Sequence, residues 1–184
     1  MTVKSGSHSI GPENGRVTFN TYVGGMGSKL GHDLVIEATR WRGTVNLDAG
    51  NPAATRIDAT IDARSWNIIQ AQGGVKPLSG GDRDEIAKNS DKTLNTGKFP
   101  EITFTSTGVQ GAAPNLKLQG NLTISGQSQP VTLDVRVQDG PSETKFTATG
   151  RIAQTAFGVK PYSKLGALKV KDEIDVQIEV TLPA

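Results

Sequence analysis

Cysteine is absent from the 184 residues, which excludes disulfides, thiol nucleophiles, iron–sulfur clusters and thiolate zinc sites. Histidine is scarce: His8 and His32 stand far apart, a spacing that matches no metal-ligand pattern, so neither a metal nor a cofactor is expected. No run approaches the roughly 18 apolar residues of a membrane span, so stable membrane insertion is not expected. The opening MTVKSGSHSI lacks the apolar core of a secretory signal, and the expected location is the cytoplasm. Neither sign of charge dominates. Twenty basic against 18 acidic residues leave +2, far below what a general nucleic-acid binder uses to displace counterions, and no nucleic-acid partner is expected. Neither a Walker A motif nor GxGxxG occurs, which argues against nucleotide binding. Aromatics make up 5%, and many apolar positions are Val, Ile or Ala, a composition that suits strands and leaves little bulk to fill an interior.

What is present is alternation. The length fits a single domain over residues 1–184. Ser7 to Ile10 and Arg16 to Val23 flank a turn and predict a first hairpin, with Val17, Phe19, Thr21 and Val23 on one side. Trp41, Gly43, Val45 and Leu47 share a face, as do Ile57, Ala59, Ile61 and Ala63 in a strand that Ser65 to Ile68 extends. Further on, Leu116 and Leu118 with Leu122 and Ile124, Val131 to Val137, Phe146 to Ile152 and Ile174 to Leu182 repeat the pattern, with Gly120 marking a bend or bulge. One face apolar and one polar at this spacing predicts an antiparallel sandwich or barrel. Several inward positions are small, namely Gly43, Ala59, Ala63, Gly120, Ala148 and Gly150. They leave space inside a closed barrel, or they let elements approach closely.

Gly73 to Thr107 interrupts the series with turn signals, one polar helix and a lysine-rich return. Asp82 with Glu85 three residues on predicts the helix start, and Asp84 with Lys88 makes an i,i+4 pair. Ile86, Ala87 and Leu94 are too few apolar residues for a core layer, so the helix belongs on the surface or across one end. Short phrases recur: GVKPLS at Gly74–Ser79, GVKPYS at Gly158–Ser163, and SKLG at both Ser28–Gly31 and Ser163–Gly166. Accessible backbone N–H groups, a lysine and a hydroxyl in each suit an anionic head group; ordinary turn chemistry is the alternative. His32 beside Asp33 offers an acid–base pair, or a hydrogen-bonded loop histidine.

The order of DRDEI, KFPEITFTST at Lys98–Thr107, LKLQGNLTISG at Leu116–Gly126, Val131–Val137 and Phe157-Gly158 resembles the YceI-like family of lipocalin-like, polyisoprenoid-binding proteins over about Phe19 to Val180. The GHDLVIE and GVKP segments resemble a cytoplasmic subgroup. The resemblance implies an all-β, eight-stranded antiparallel lipocalin-like barrel with a short helix at one end, non-catalytic, enclosing a long-chain isoprenoid lipid. Tail contacts are expected from Phe19, Ile36, Trp41, Ile57, Ile61, Phe104 and Phe157. Head-group contacts are expected from Lys76, Arg83, Lys160, Tyr162 and Lys164. Two alternatives stand beside it: an enzyme acting on a lipid through His32 and Asp33, and an interaction protein whose barrel edges form a homodimer around a packed interior.

Overall fold

The computed structural model describes residues 3–164 and 168–184. Leu165 and Gly166 of the second SKLG phrase lie outside the described residues. The strands are β1 (Gly6–Ile10), β2 (Gly15–Thr21), β3 (Val23–Gly24), β4 (His32–Ala38), β5 (Trp41–Leu47), β6 (Arg56–Asp62) and β7 (Trp66–Gly73). After helix α1 (Gly80–Leu94) come β8 (Glu101–Ala112), β9 (Asn115–Ile124), β10 (Gln127–Asp139), β11 (Glu143–Ala153), β12 (Ser163–Lys164), β13 (Leu168–Val170) and β14 (Glu173–Pro183).

Eleven strands form one antiparallel sheet in the order β1-β5-β6-β8-β9-β10-β11-β14-β2-β4-β7. The two ends of that order are halves of the same three ribbons. β1 runs into β2, β4 into β5 and β6 into β7, each through a bend of a few residues. Where the β5–β6 ladder gives way to β4–β7, Thr39 N donates to Ser65 O at 2.6 Å and Asp62 N to Arg40 O at 3.0 Å. Counted as ribbons, the staves are β1–β2, β4–β5, β6–β7, β8, β9, β10, β11 and β14, and the ring closes where β14 pairs with β2. The expected eight-stranded barrel is therefore present, with three staves bent.

Two local readings need correction. β1 and β2 are not a hairpin: β1 pairs with β5, and β2 lies between β14 and β4. The turn between them redirects the chain without reversing it. Asn14 N donates to Gly11 O at 3.1 Å and Thr181 N donates to Asn14 O at 2.8 Å, tying the corner to β14. Continuing in one direction keeps Ile10 and Val17 in the same buried cluster. The segment from Ile57 to Ile68 is likewise two strands with a clamped corner. Buried Ser65 accepts from Arg40 N through Oγ at 3.0 Å and donates to Asp62 O at 2.9 Å. Asp62 accepts from Arg64 N and from the Arg40 guanidinium, and these bonds hold its carboxyl below the ordinary Asp range.

The small inward residues divide into two groups. A Cβ at Gly43 would lie 2.7 Å from Asp58 O and 3.0 Å from Ile10; one at Gly150 would lie 2.5 Å from Leu133 Cδ2; one at Gly120 would collide with the Phe104 ring. Those glycines seat large neighbours instead of opening space. The bulge expected at Gly120 sits opposite it, where β8 shifts register between Ser106 and Gly108.

The helix begins earlier than Asp82. Ser79 is its N-cap, with Ser79 Oγ accepting from Asp82 N at 3.2 Å and Asp82 Oδ2 accepting from Ser79 N at 2.8 Å. Asp82 is thus the third helical residue and closes a capping box, its carboxyl held below the usual range by the Ser79 hydroxyl and N–H.

Candidate ligand cavity

The barrel encloses a cavity of about 610 Å³, within the range of about 300–1,000 Å³ typical of small-molecule sites. Its walls come from the apolar faces of all eight staves. Phe19, Ile36, Trp41, Ile57, Ile61, Phe104 and Phe157 all line it, as do Ala59, Ala63 and Ala148. The interior is therefore not packed shut by its own side chains. Trp66 lines it as well. Trp41 is 7% exposed, and among the described residues its indole nitrogen is the buried side-chain donor without a protein acceptor.

One end of the cavity is covered by α1 and the repeated phrases. Asp82, Glu85, Ile86, Asn89, Ser90, Thr93 and Leu94 line the cavity, and their three- and four-residue spacing defines one face of the helix. The three phrases meet here. Leu30 and Gly31 come from the first, Val75 and Lys76 from the second, Val159, Tyr162 and Lys164 from the third. His32 Nε2 lies 2.9 Å from Lys76 O, and the ring packs against Gly74, whose φ of +72° and lack of a side chain permit the approach. Lys164 Nζ pairs with Glu85 at 3.2 Å, and that contact raises the lysine above its ordinary pKa.

Of the five expected head-group residues, Lys76, Tyr162 and Lys164 line the cavity. Arg83 is not among its lining residues: its Nη1 donates to Ile68 O at 2.9 Å and ties α1 to the outer edge of β7. Lys160 is exposed and also lies off the cavity wall.

The sequence model of the YceI-like domain matches residues 9–182. The chain belongs to the YceI-like family. Protein YceI of Escherichia coli O157:H7 is 33% identical over 144 residues, covering 75% of this chain and 68% of the relative. Protein YceI of Salmonella arizonae is 30% identical over 143 residues, covering 74% and 68%. The crystal structure of Burkholderia cenocepacia BcnA superposes with a TM-score of 0.70 at 17% identity, covering 91% of this chain and 96% of BcnA. The Campylobacter jejuni YCEI protein gives 0.61 at 21% identity, covering 81% and 84%. At those identities the likeness is one of fold.

Within this YceI-like barrel, His32 and Asp33 do not form an acid–base pair. They are successive residues of β4, so their side chains leave opposite faces. His32 lines the cavity, whereas Asp33 Oδ1 accepts from Val23 N at 2.8 Å.

The polar stripe of α1 is the part of the site that periodicity does not reveal. Its cavity face carries Asp82, Glu85, Asn89, Ser90 and Thr93, so both faces of the helix are polar and no apolar contrast marks the inward one. The available signal is that same composition: a polar helix inserted into a barrel sequence must cover an end, because it brings too little apolar surface to join the wall.

Proposed function

We propose that this protein binds, stores or carries a long-chain isoprenoid lipid, a prenyl phosphate or a quinone-like molecule, in the barrel interior without chemical conversion. The observation that carries this reading is the apolar cavity of about 610 Å³ with a polar covering at one end. Each CH₂ removed from water contributes about 0.8 kcal/mol, so a few isoprene units offset the cost of immobilising the ligand. The tail lies along Phe19, Ile36, Ile57, Ile61 and Phe104, and the head group meets Lys76, Tyr162 and Lys164 under α1. The GHDLVIE and GVKP segments carry the assignment to the cytoplasm, which cell fractionation checks.

Native mass spectrometry and organic extraction of freshly purified protein test the reading. The expected result is a co-purifying isoprenoid, or uptake from a panel of prenyl phosphates and quinones. Trp41 and Trp66 line the cavity, so uptake changes the intrinsic fluorescence. A protein that carries no lipid and takes up none of the panel would sink the proposal.

A further inference from the structure

The outer rim of the mouth differs from the rest of the surface. The segments 24–31, 73–78, 158–164 and 168–171 contain Lys29, Lys76, Lys160, Lys164, Lys169 and Lys171 and no acidic residue, whereas the rest of the chain has the other 14 of the 20 basic residues against all 18 acidic ones. All six lysines are exposed. The same loops carry Met26, Leu30 and Val75, which are 99%, 64% and 74% exposed. The segments are held together. β13 pairs with β12 and β3, setting Lys169 opposite Ser163 and Gly24, and the Lys171 stem lies beside Gly24.

Four nearby carboxylates are engaged by the fold. Asp33 accepts from Val23 N and Asp172 from Thr155 N and Oγ1, Asp82 closes the capping box, and Glu85 is paired with Lys164. Large aliphatic side chains standing in water beside a cluster of lysines form the pattern of a surface that lies on a membrane: the apolar tips enter the headgroup boundary and the ammonium groups meet anionic headgroups.

We propose that this rim docks on the surface of an anionic lipid bilayer, with Met26, Leu30 and Val75 as its apolar contacts and the loop lysines as its electrostatic ones. A second copy of the chain would set lysines against lysines. A nucleic acid would meet the lysines but leave Met26 and Val75 without an apolar partner. Leu30, Val75, Lys76 and Lys164 also border the cavity, whereas Met26, Lys29, Lys169 and Lys171 do not, and the inference rests on the exposed rim that these residues share.

Vesicle flotation tests it, with vesicles of phosphatidylcholine alone and of equal parts phosphatidylglycerol and phosphatidylcholine. The expected result is binding to the phosphatidylglycerol vesicles, and release as salt is raised to about 1 M, where the screening length falls to about 3 Å. The triple variant Lys29→Gln, Lys169→Gln, Lys171→Gln should lower partitioning roughly a hundredfold. Met26→Ser with Val75→Ser should lower it roughly tenfold. Circular dichroism melts verify that both variants are folded. Absence of binding to the phosphatidylglycerol vesicles at low salt, equal binding to both vesicle types, unchanged binding of the triple variant, or tighter binding to duplex DNA than to vesicles would each overturn the proposal.

Discussion

The two ends of the barrel are built on opposite plans. At the far end Val3, Ile10, Leu47 and Leu182 are buried in one cluster with Trp41, and Val3 and Leu182 are only 2% exposed. At the mouth, α1 spans 15 residues and buries none of them fully. Its C-terminal end is nonetheless pinned: Ser125 Oγ donates to Leu94 O at 2.8 Å, and buried Thr96 bonds to Asp91 and accepts from Arg64. Its N-terminal end rests on the capping box, Arg83 against the edge of β7, and one ion pair whose partners are each about half exposed. The contrast assigns a well-packed floor to one end and a lightly held cover to the other. Exchange of a ligand through a barrel belongs at the end with the lower local stability.

Variants at the two ends should separate these roles. Leu182→Ala removes a buried side chain from the floor and should cost about 2–5 kcal/mol of global stability, read as a lower urea midpoint. An equal midpoint would mean that the floor is not where the fold gains its stability. Gly120→Ala probes the wall between the ends: the new Cβ meets the Phe104 ring and Thr105 O, and overpacking of about 1–3 kcal/mol is expected in the same titration. A neutral result would show that Gly120 does leave free space.

Changes at the cover should act locally. Ser79→Ala removes the N-cap and should cost α1 about 1 kcal/mol, seen as faster amide exchange over residues 80–94 while the urea midpoint moves far less than in Leu182→Ala. Acid should loosen the same end. The carboxyl of Asp82 is held below the ordinary Asp pKa of about 3.9, so its contribution is complete above that value and is lost as pH falls through the lowered one. Amide exchange of the first turn of α1, corrected for its intrinsic pH dependence, should gain its protection over that interval; protection unchanged through acid would mean the carboxylate does not hold the cap. Smallest of all is Lys164→Gln. An exposed pair is weak and screened by solvent, so the expected change is confined to exchange in α1 and disappears in high salt.

Much of the architecture was legible because a strand's two-residue period is a direct imprint of a surface with one wet and one dry face. Val131 to Val137 and Ile174 to Leu182 show that alternation and lie in β10 and β14 as expected. The failures cluster at the bends. Nothing local distinguishes a turn that reverses the chain from one that redirects it, so Gly11 to Asn14 read as a hairpin, and only the pairing of β1 with β5 decides otherwise. Likewise, inward glycines look the same whether the space above them is open or taken by Phe104, Leu133 or Ile10, side chains contributed by other strands.

The candidate site divides along the same line. All seven apolar residues expected to touch a ligand line the cavity, because facing inward in a barrel follows from alternation. Of the charged ones, Lys76 and Lys164 reach it, while Arg83 is drawn to a backbone carbonyl at the edge of β7 and Lys160 stays in solvent. Long charged side chains choose among partners brought by the fold, and their direction is not written in local sequence.

By itself the sequence determined the strand faces, the apolar lining, the place of the helix between β7 and β8, and the recurring glycine–lysine phrases, since each depends on residues near one another in the chain. Only the tertiary structure decided that three bent ribbons close the ring at eight staves, that glycines seat neighbours while alanines border the cavity, and that the three phrases gather at one mouth. Those outcomes depend on pairing between distant segments, where register and packing, not local preference, set the energy.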